Sequence, residues 1–185
     1  MTDVSTQDVN EPNQAQAASG MSDNRETLEG TTADSIDDMY LTFAVDGEDY
    51  GVAISVVTEI VGMQRIMGIP DVPHYIKGVI NLRGKVIPLM DVRLRFAMTE
   101  KEYDERTVVI VLDVGEAPMG LIVDRVSEVV EIPKDRIDRK GFSTDGKSVV
   151  KGLGRMDERV AIILDEALLV SDADIMLPSD VNSAA

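Results

Sequence analysis

The sequence predicts an all-β fold assembled from small barrels or a sandwich. Three observations carry that expectation: short runs of alternating apolar and polar residues, Gly and Pro turns at regular intervals, and an internal repeat. Hydrophobic residues make up 44% of the 185, enough for a packed core, whereas aromatics reach only 4% and Trp is absent. Such a core has to be built from Val, Ile, Leu and Met.

Taken in order, Met39–Val45 alternates, and Asp46-Gly47 supplies a tight turn before Asp49–Ile54. Lys77–Leu82 and Lys85–Asp91 flank Arg83-Gly84 as a second hairpin, in which Gly84 tolerates a positive φ. Thr107–Val114, Met119–Val123, Val126–Ile132, Val149–Met156 and Arg159–Leu164 continue in the same style. Helical readings are limited to short pieces, Val56–Val61, Val92–Phe96 and Glu166–Ser171. Asp91 and Asp165 stand just before two of these pieces, where a carboxylate accepts free backbone N–H groups as an N-cap.

The repeat aligns Tyr50–Val61 with Met119–Val130, and Lys77-Gly78-Val79 with Lys151-Gly152-Leu153. In the second register Val86, Leu89, Met90 and Asp91 meet Val160, Ile163, Leu164 and Asp165. Each half then reads as strand, turn, strand, a linking segment, a Lys-Gly strand, turn, strand, Asp. Duplication and shared barrel constraints both account for this pattern, and either yields two similar subdomains.

Charge is unevenly distributed. Residues 1–38 carry nine acidic residues and one Arg, a net of −8, with almost no large apolar side chains. That stretch is expected to be a disordered acidic tail, because it buries too little to offset its ordering entropy. Residues 39–170 hold 22 acidic and 17 basic residues, and the last 15 add −3 to reach the overall −16. A helical turn through Ile175 to Leu177 and a tail are expected over 171–185. No stretch reads as a signal peptide or a membrane span, which points to a soluble cytoplasmic protein. Nucleic acid is a poor partner, since its binding calls for a basic stripe to displace counterions.

Enzyme readings fare badly. The single histidine, His74, lies between Pro73 and Tyr75 in a loop, and no nucleophile motif accompanies it. There is no cysteine, so thiol chemistry and thiolate metal sites are ruled out. Gly152-Leu153-Gly154 is too short for a dinucleotide loop, and Asp104-Glu105 and Asp157-Glu158 lack calcium-loop spacing. No cofactor is expected.

Gly78-Val79-Ile80-Asn81-Leu82-Arg83-Gly84-Lys85-Val86-Ile87-Pro88-Leu89-Met90-Asp91-Val92-Arg93 resembles the hairpin segment of the CheW family of chemotaxis coupling proteins. Tyr50-Gly51, Glu59-Ile60, Tyr75-Ile76-Lys77-Gly78, Ile122-Val123-Asp124 and Gly152-Leu153-Gly154 also look like family positions, in the family's order. The resemblance spans Met39 to Val170. It implies two intertwined SH3-like five-stranded β-barrels around a shared core, with few short helices and no enzymatic activity. The implied partners are the regulatory domain of the chemotaxis histidine kinase CheA and the cytoplasmic tips of chemoreceptors, in ring-like arrays. Residue by residue, it places Glu59 and Ile60 at the kinase interface, with Arg83 paired to Glu59. Val57, Asn81, Leu82, Val108 and Val129 are placed near a receptor groove, and Gly78 and Gly120 serve backbone geometry.

Overall fold

Eleven strands in two sheets account for most of the described residues, which are 36–115, 118–142 and 148–171 of a computed structural model. The first hairpin joins β1 (Met39–Val45) to β2 (Glu48–Ala53). Its two turn residues, Asp46 and Gly47, lie at φ 56° and 88°, the handedness that matches the twist of the flanking strands. A 3-10 turn, Ile54–Val56, leads into β3 (Val57–Gly62). A second hairpin follows, β4 (Ile76–Leu82) and β5 (Lys85–Asp91), and runs into the helical turn Val92–Arg95. Then come β6 (Val108–Asp113), β7 (Pro118–Val123) and β8 (Arg125–Glu131). The two-residue β9 (Ile137–Asp138), β10 (Val150–Met156), β11 (Arg159–Leu164) and the helix Glu166–Ser171 complete the described part.

One sheet has the order β8-β1-β2-β11-β10-β9 and the other β3-β6-β7-β5-β4. Exchanging β1 for β6, β2 for β7, β8 for β3, β11 for β5 and β10 for β4 converts the first order into the second. The parallel contacts obey the same exchange, since β2 pairs with β11 in one sheet and β7 with β5 in the other. The internal repeat is therefore present in the topology. Each sheet mixes strands from the two halves of the chain, so the SH3-like subdomains are intertwined. The six-stranded one adds only the short β9 to the five expected.

Burial follows from this arrangement. Val109 and Val111 of β6 point into the five-stranded barrel with Ile80, Ile87, Leu89 and Ile122. Ile110 and Leu112, on the opposite face, join Leu41, Phe43, Val52, Met90, Leu121 and Leu164 in a core common to both sheets. A strand covered on both sides needs an unbroken apolar run, which is what Val-Val-Ile-Val-Leu supplies. Tyr40, Ile132, Ile137, Ala161 and Ile163 fill the six-stranded barrel. The core is mostly aliphatic, but Phe43, Tyr50 and Phe96 stack through it at 6.0 and 5.5 Å between ring centroids.

The expected helix over Val56–Val61 is instead strand β3. Its residues alternate between half-buried Val57, Glu59 and Val61 and exposed Thr58, Ile60 and Gly62. An apolar Ile on the outward face hides the two-residue period and imitates a helical one. Gly78 and Gly120 do serve close approach. A Cβ on Gly78, at φ +133°, would lie 2.1 Å from the Met67 carbonyl oxygen, and one on Gly120 would lie 2.5 Å from Leu89 Cδ2. Asp91 and Asp165 cap their helices, accepting from the N–H of Leu94 at 3.2 Å and of Leu168 at 3.0 Å.

Arg93 ties the two sheets together. From the helical turn after β5 it donates to Asp46 at 2.7 Å and to Asp124 at 2.6 Å, with its side chain only 8% exposed. Asp46 sits in the β1–β2 turn, and Asp124 marks where the chain leaves β7 for β8. Burial disfavours the Arg93 charge, yet hydrogen bonds and attraction from the two carboxylates more than offset it and raise its pKa. Arg93→Ala is expected to lower stability by about 2–4 kcal/mol, because it strands the partly buried Asp124 carboxylate and unties the exposed Asp46 from the junction. Urea unfolding at neutral pH measures this, and a change under about 0.5 kcal/mol would remove the clamp role.

Candidate functional site

The strand β3 is an edge, hydrogen-bonded among the described residues only to β6. Its alternation sends Ile60 outward, where it is 44% exposed. Beside it, half-buried Glu59 receives the Arg83 guanidinium at 2.7 Å. Arg83 lies in the β4–β5 turn, and β4 is the opposite end of the same sheet, so this ion pair spans the seam of the barrel. The Arg83 side chain is 80% exposed and that of Glu59 26%.

The turn that carries Arg83 is strained. Arg83 has φ +51° and Gly84 φ +87°, so a charged residue stands where Asn or Gly is usual. A left-handed non-Gly residue costs about 1–2 kcal/mol. Asn81 braces the turn, its Oδ1 accepting the Gly84 N–H at 2.8 Å. The backbone thus projects the guanidinium over the seam and leaves its remaining donors in solvent, where a planar fork can meet a second carboxylate.

Glu59, Ile60, Arg83 and, through its turn, Asn81 are brought together at one end of the five-stranded barrel. The remaining residues assigned to a receptor groove are spread over both sheets. Val57 and Val108 are half-buried against the common core. They face Leu112 and Gly62 respectively, and so stand about 13 Å apart along the β3–β6 ladder. Leu82 packs partly against the interior of the five-stranded barrel, as Val61 does. Val129 is 46% exposed on β8 of the other sheet.

The reading of the sequence overlooked a second, equivalent patch. The repeat register superimposes Glu128-Val129 on Glu59-Ile60, and Glu128 also has an arginine partner, Arg159, which reaches Asp49 at 3.2 Å as well. Val160, next to Arg159, is 51% exposed. The register was visible in the sequence, but the cation facing Glu128 was not. Among the described residues no group of three or more His, Cys, Asp or Glu could hold a metal ion. None of their helices is long and apolar enough to cross a membrane. His74 is exposed and meets Tyr75 edge-on at 5.6 Å.

Comparison with known proteins adds to this geometry. A family model described as a CheW-like domain matches residues 39–174. The chain is 36% identical over 157 residues to a chemotaxis protein CheW of Klebsiella aerogenes, covering 84% of this chain and 95% of that protein. It is 30% identical over 127 residues to the chemotaxis protein CheW of Bacillus subtilis, covering 68% and 81%. The crystal structure of the scaffolding protein TtCheW from Thermoanaerobacter tengcongensis is similar with a TM-score of 0.66 at 32% identity, covering 72% of this chain and 92% of that one.

The geometry sets the behaviour of two positions. Arg83→Gly relaxes the turn while losing an exposed ion pair, so its stability is expected to stay within about 1 kcal/mol of the parent. Arg83→Val, β-branched at a positive φ, should lose about 1–3 kcal/mol. Ile60→Asp should shift stability by no more than about 1 kcal/mol, since Ile60 is largely in solvent. Urea unfolding of the three variants decides, and a collapse of Ile60→Asp by several kcal/mol would make Ile60 a core residue.

Proposed function

This chain belongs to the CheW-like family, and from that membership we propose that it is a non-enzymatic adaptor coupling the histidine kinase CheA to the cytoplasmic tips of chemoreceptors. The relatives it matches are chemotaxis proteins, and one of the similar solved structures is a scaffolding protein. The observation that carries the reading is the exposed Ile60 beside the Glu59–Arg83 pair on an uncovered barrel edge. An apolar anchor rimmed by an organised ion pair is the arrangement from which a docking interface draws most of its energy. A barrel end of this kind docks against another barrel end, which fits the regulatory domain of CheA as partner. Val57 and Val108, at the fringe of the common core, with Asn81, Leu82 and Val129 provide the apolar and polar contacts for one face of a receptor helix.

In this reading residues 39–170 are the working unit, flanked by segments 1–38 and 171–185, and the protein acts in the cytoplasm within receptor arrays. It needs no reacting group and no cofactor.

Calorimetric titration into the regulatory domain of the cognate CheA should show saturable one-to-one binding. Ile60→Asp should weaken it at least tenfold, about 1.4 kcal/mol or more, at unchanged stability. Binding that survives the substitution would move the site, and absence of binding by the parent chain would remove the kinase as partner. A double-mutant cycle of Glu59→Ala with Arg83→Ala should show a coupling of about 0.5 kcal/mol or more, and additive losses would dissolve the pair as a unit.

A further inference from the structure

The stretch of this acidic chain most densely set with basic residues, Lys134 to Lys140, has no part in the adaptor site. It holds Lys134, Arg136, Arg139 and Lys140 against Asp135 and Asp138, in a protein with 18 basic and 34 acidic residues. All four cations are exposed, and among the described residues none has a carboxylate partner. Asp138 is engaged elsewhere, accepting the Lys140 backbone N–H at 2.9 Å and lying 3.9 Å from Arg155. Arg136, Arg139 and Lys140, with Arg155, line an open depression of about 950 Å³ that also holds Asp135, Asp138 and Asp157 and the apolar Ile137 and Phe142, and Lys134 lies just outside it.

The acidic N-terminal segment joins the fold at the rim of this depression. The Asp38 carbonyl accepts the Ile132 N–H at 2.7 Å, and Met39 faces Glu131 across the β1–β8 ladder. Tyr40 packs with Ile132 and Ile137. Residues 1–35 hold seven carboxylates and one Arg, and three residues further on Asp38 meets Ile132, two positions before Lys134. Tethering at such a distance supplies a local concentration of about 1 mM, so even a millimolar contact is half occupied.

We propose that the acidic segment of residues 1–35 docks within its own chain across the face formed by Lys134, Arg136, Arg139, Lys140 and Arg155. The contact is a set of exposed ion pairs, each weak alone and sensitive to salt. A partner that approached the six-stranded barrel on this side would have to displace the segment. The docking does not depend on the adaptor reading and stands or falls separately.

Because the chain has no cysteine, Ser22→Cys gives the full protein a single site for a paramagnetic label. At low salt, amides of residues 134–142 and of Arg155 should lose roughly half of their intensity. The loss should disappear in about 1 M NaCl, where charges are screened beyond about 3 Å, and in the triple variant Arg136→Glu, Arg139→Glu, Lys140→Glu. The salt series uses the native surface, so it decides even if the triple variant folds poorly. The proposal is overturned if these amides fade no more than the rest of the barrel, or if the fading persists in high salt. It is equally overturned if the effect passes to an unlabelled copy mixed with the labelled one, because the contact would then lie between chains.

Discussion

The chain crosses from one sheet to the other twice, at Ile54–Val56 and at Asp124, and the rest of the structure depends on holding those crossovers. Backbone leaving a ladder loses its partners and has to be satisfied otherwise. Each crossover is gripped by a buried charged side chain from the helix that follows the last strand of a repeat. Arg93 holds Asp124 and the neighbouring Asp46. Glu166 accepts the Ala53 N–H at 2.6 Å just ahead of the other crossover, and its second oxygen meets Lys151 at 3.1 Å. Quasi-equivalent elements thus solve one problem with opposite charges.

The exposure of the candidate site follows from the crossings. The strands reached by crossing, β3 and β8, end up on sheet edges, so one face of each stays in solvent. Ile60 and Val129 occupy equivalent places on those two strands and are the apolar residues left outside. An edge strand invites unwanted pairing, and the flanking charges Glu59 with Arg83 and Glu128 with Arg159 restrict what can approach.

Much of this was legible in the sequence wherever local chemistry and tertiary demand agreed. Lys85–Asp91 and Arg159–Leu164 form strands with the expected bounds because their C-terminal halves are largely buried on both faces and their turns are unambiguous. Asp91 and Asp165 could be read as caps because capping is decided within four residues. The strand β3 was misread because its outward Ile serves a surface instead of the core. The pairing of Glu59 with Arg83 came from family resemblance, since nothing local brings residues 24 apart together. The positive φ of Arg83 and the reach of Arg93 to residues 47 and 31 positions away are products of topology and left no local trace.

The parallel pairing of β2 with β11 sets Tyr50 opposite Ile162. The five-stranded sheet, by contrast, is drawn from one continuous stretch, β3 to β7, inserted between the strands of its neighbour. As a chain is synthesised, the central sheet can gather its strands while the outer one still waits for its last. Closing a loop of that length carries an entropic cost that the central sheet is spared. A copy that stops short of β11 therefore leaves β2 without its parallel neighbour and the common core without Leu164.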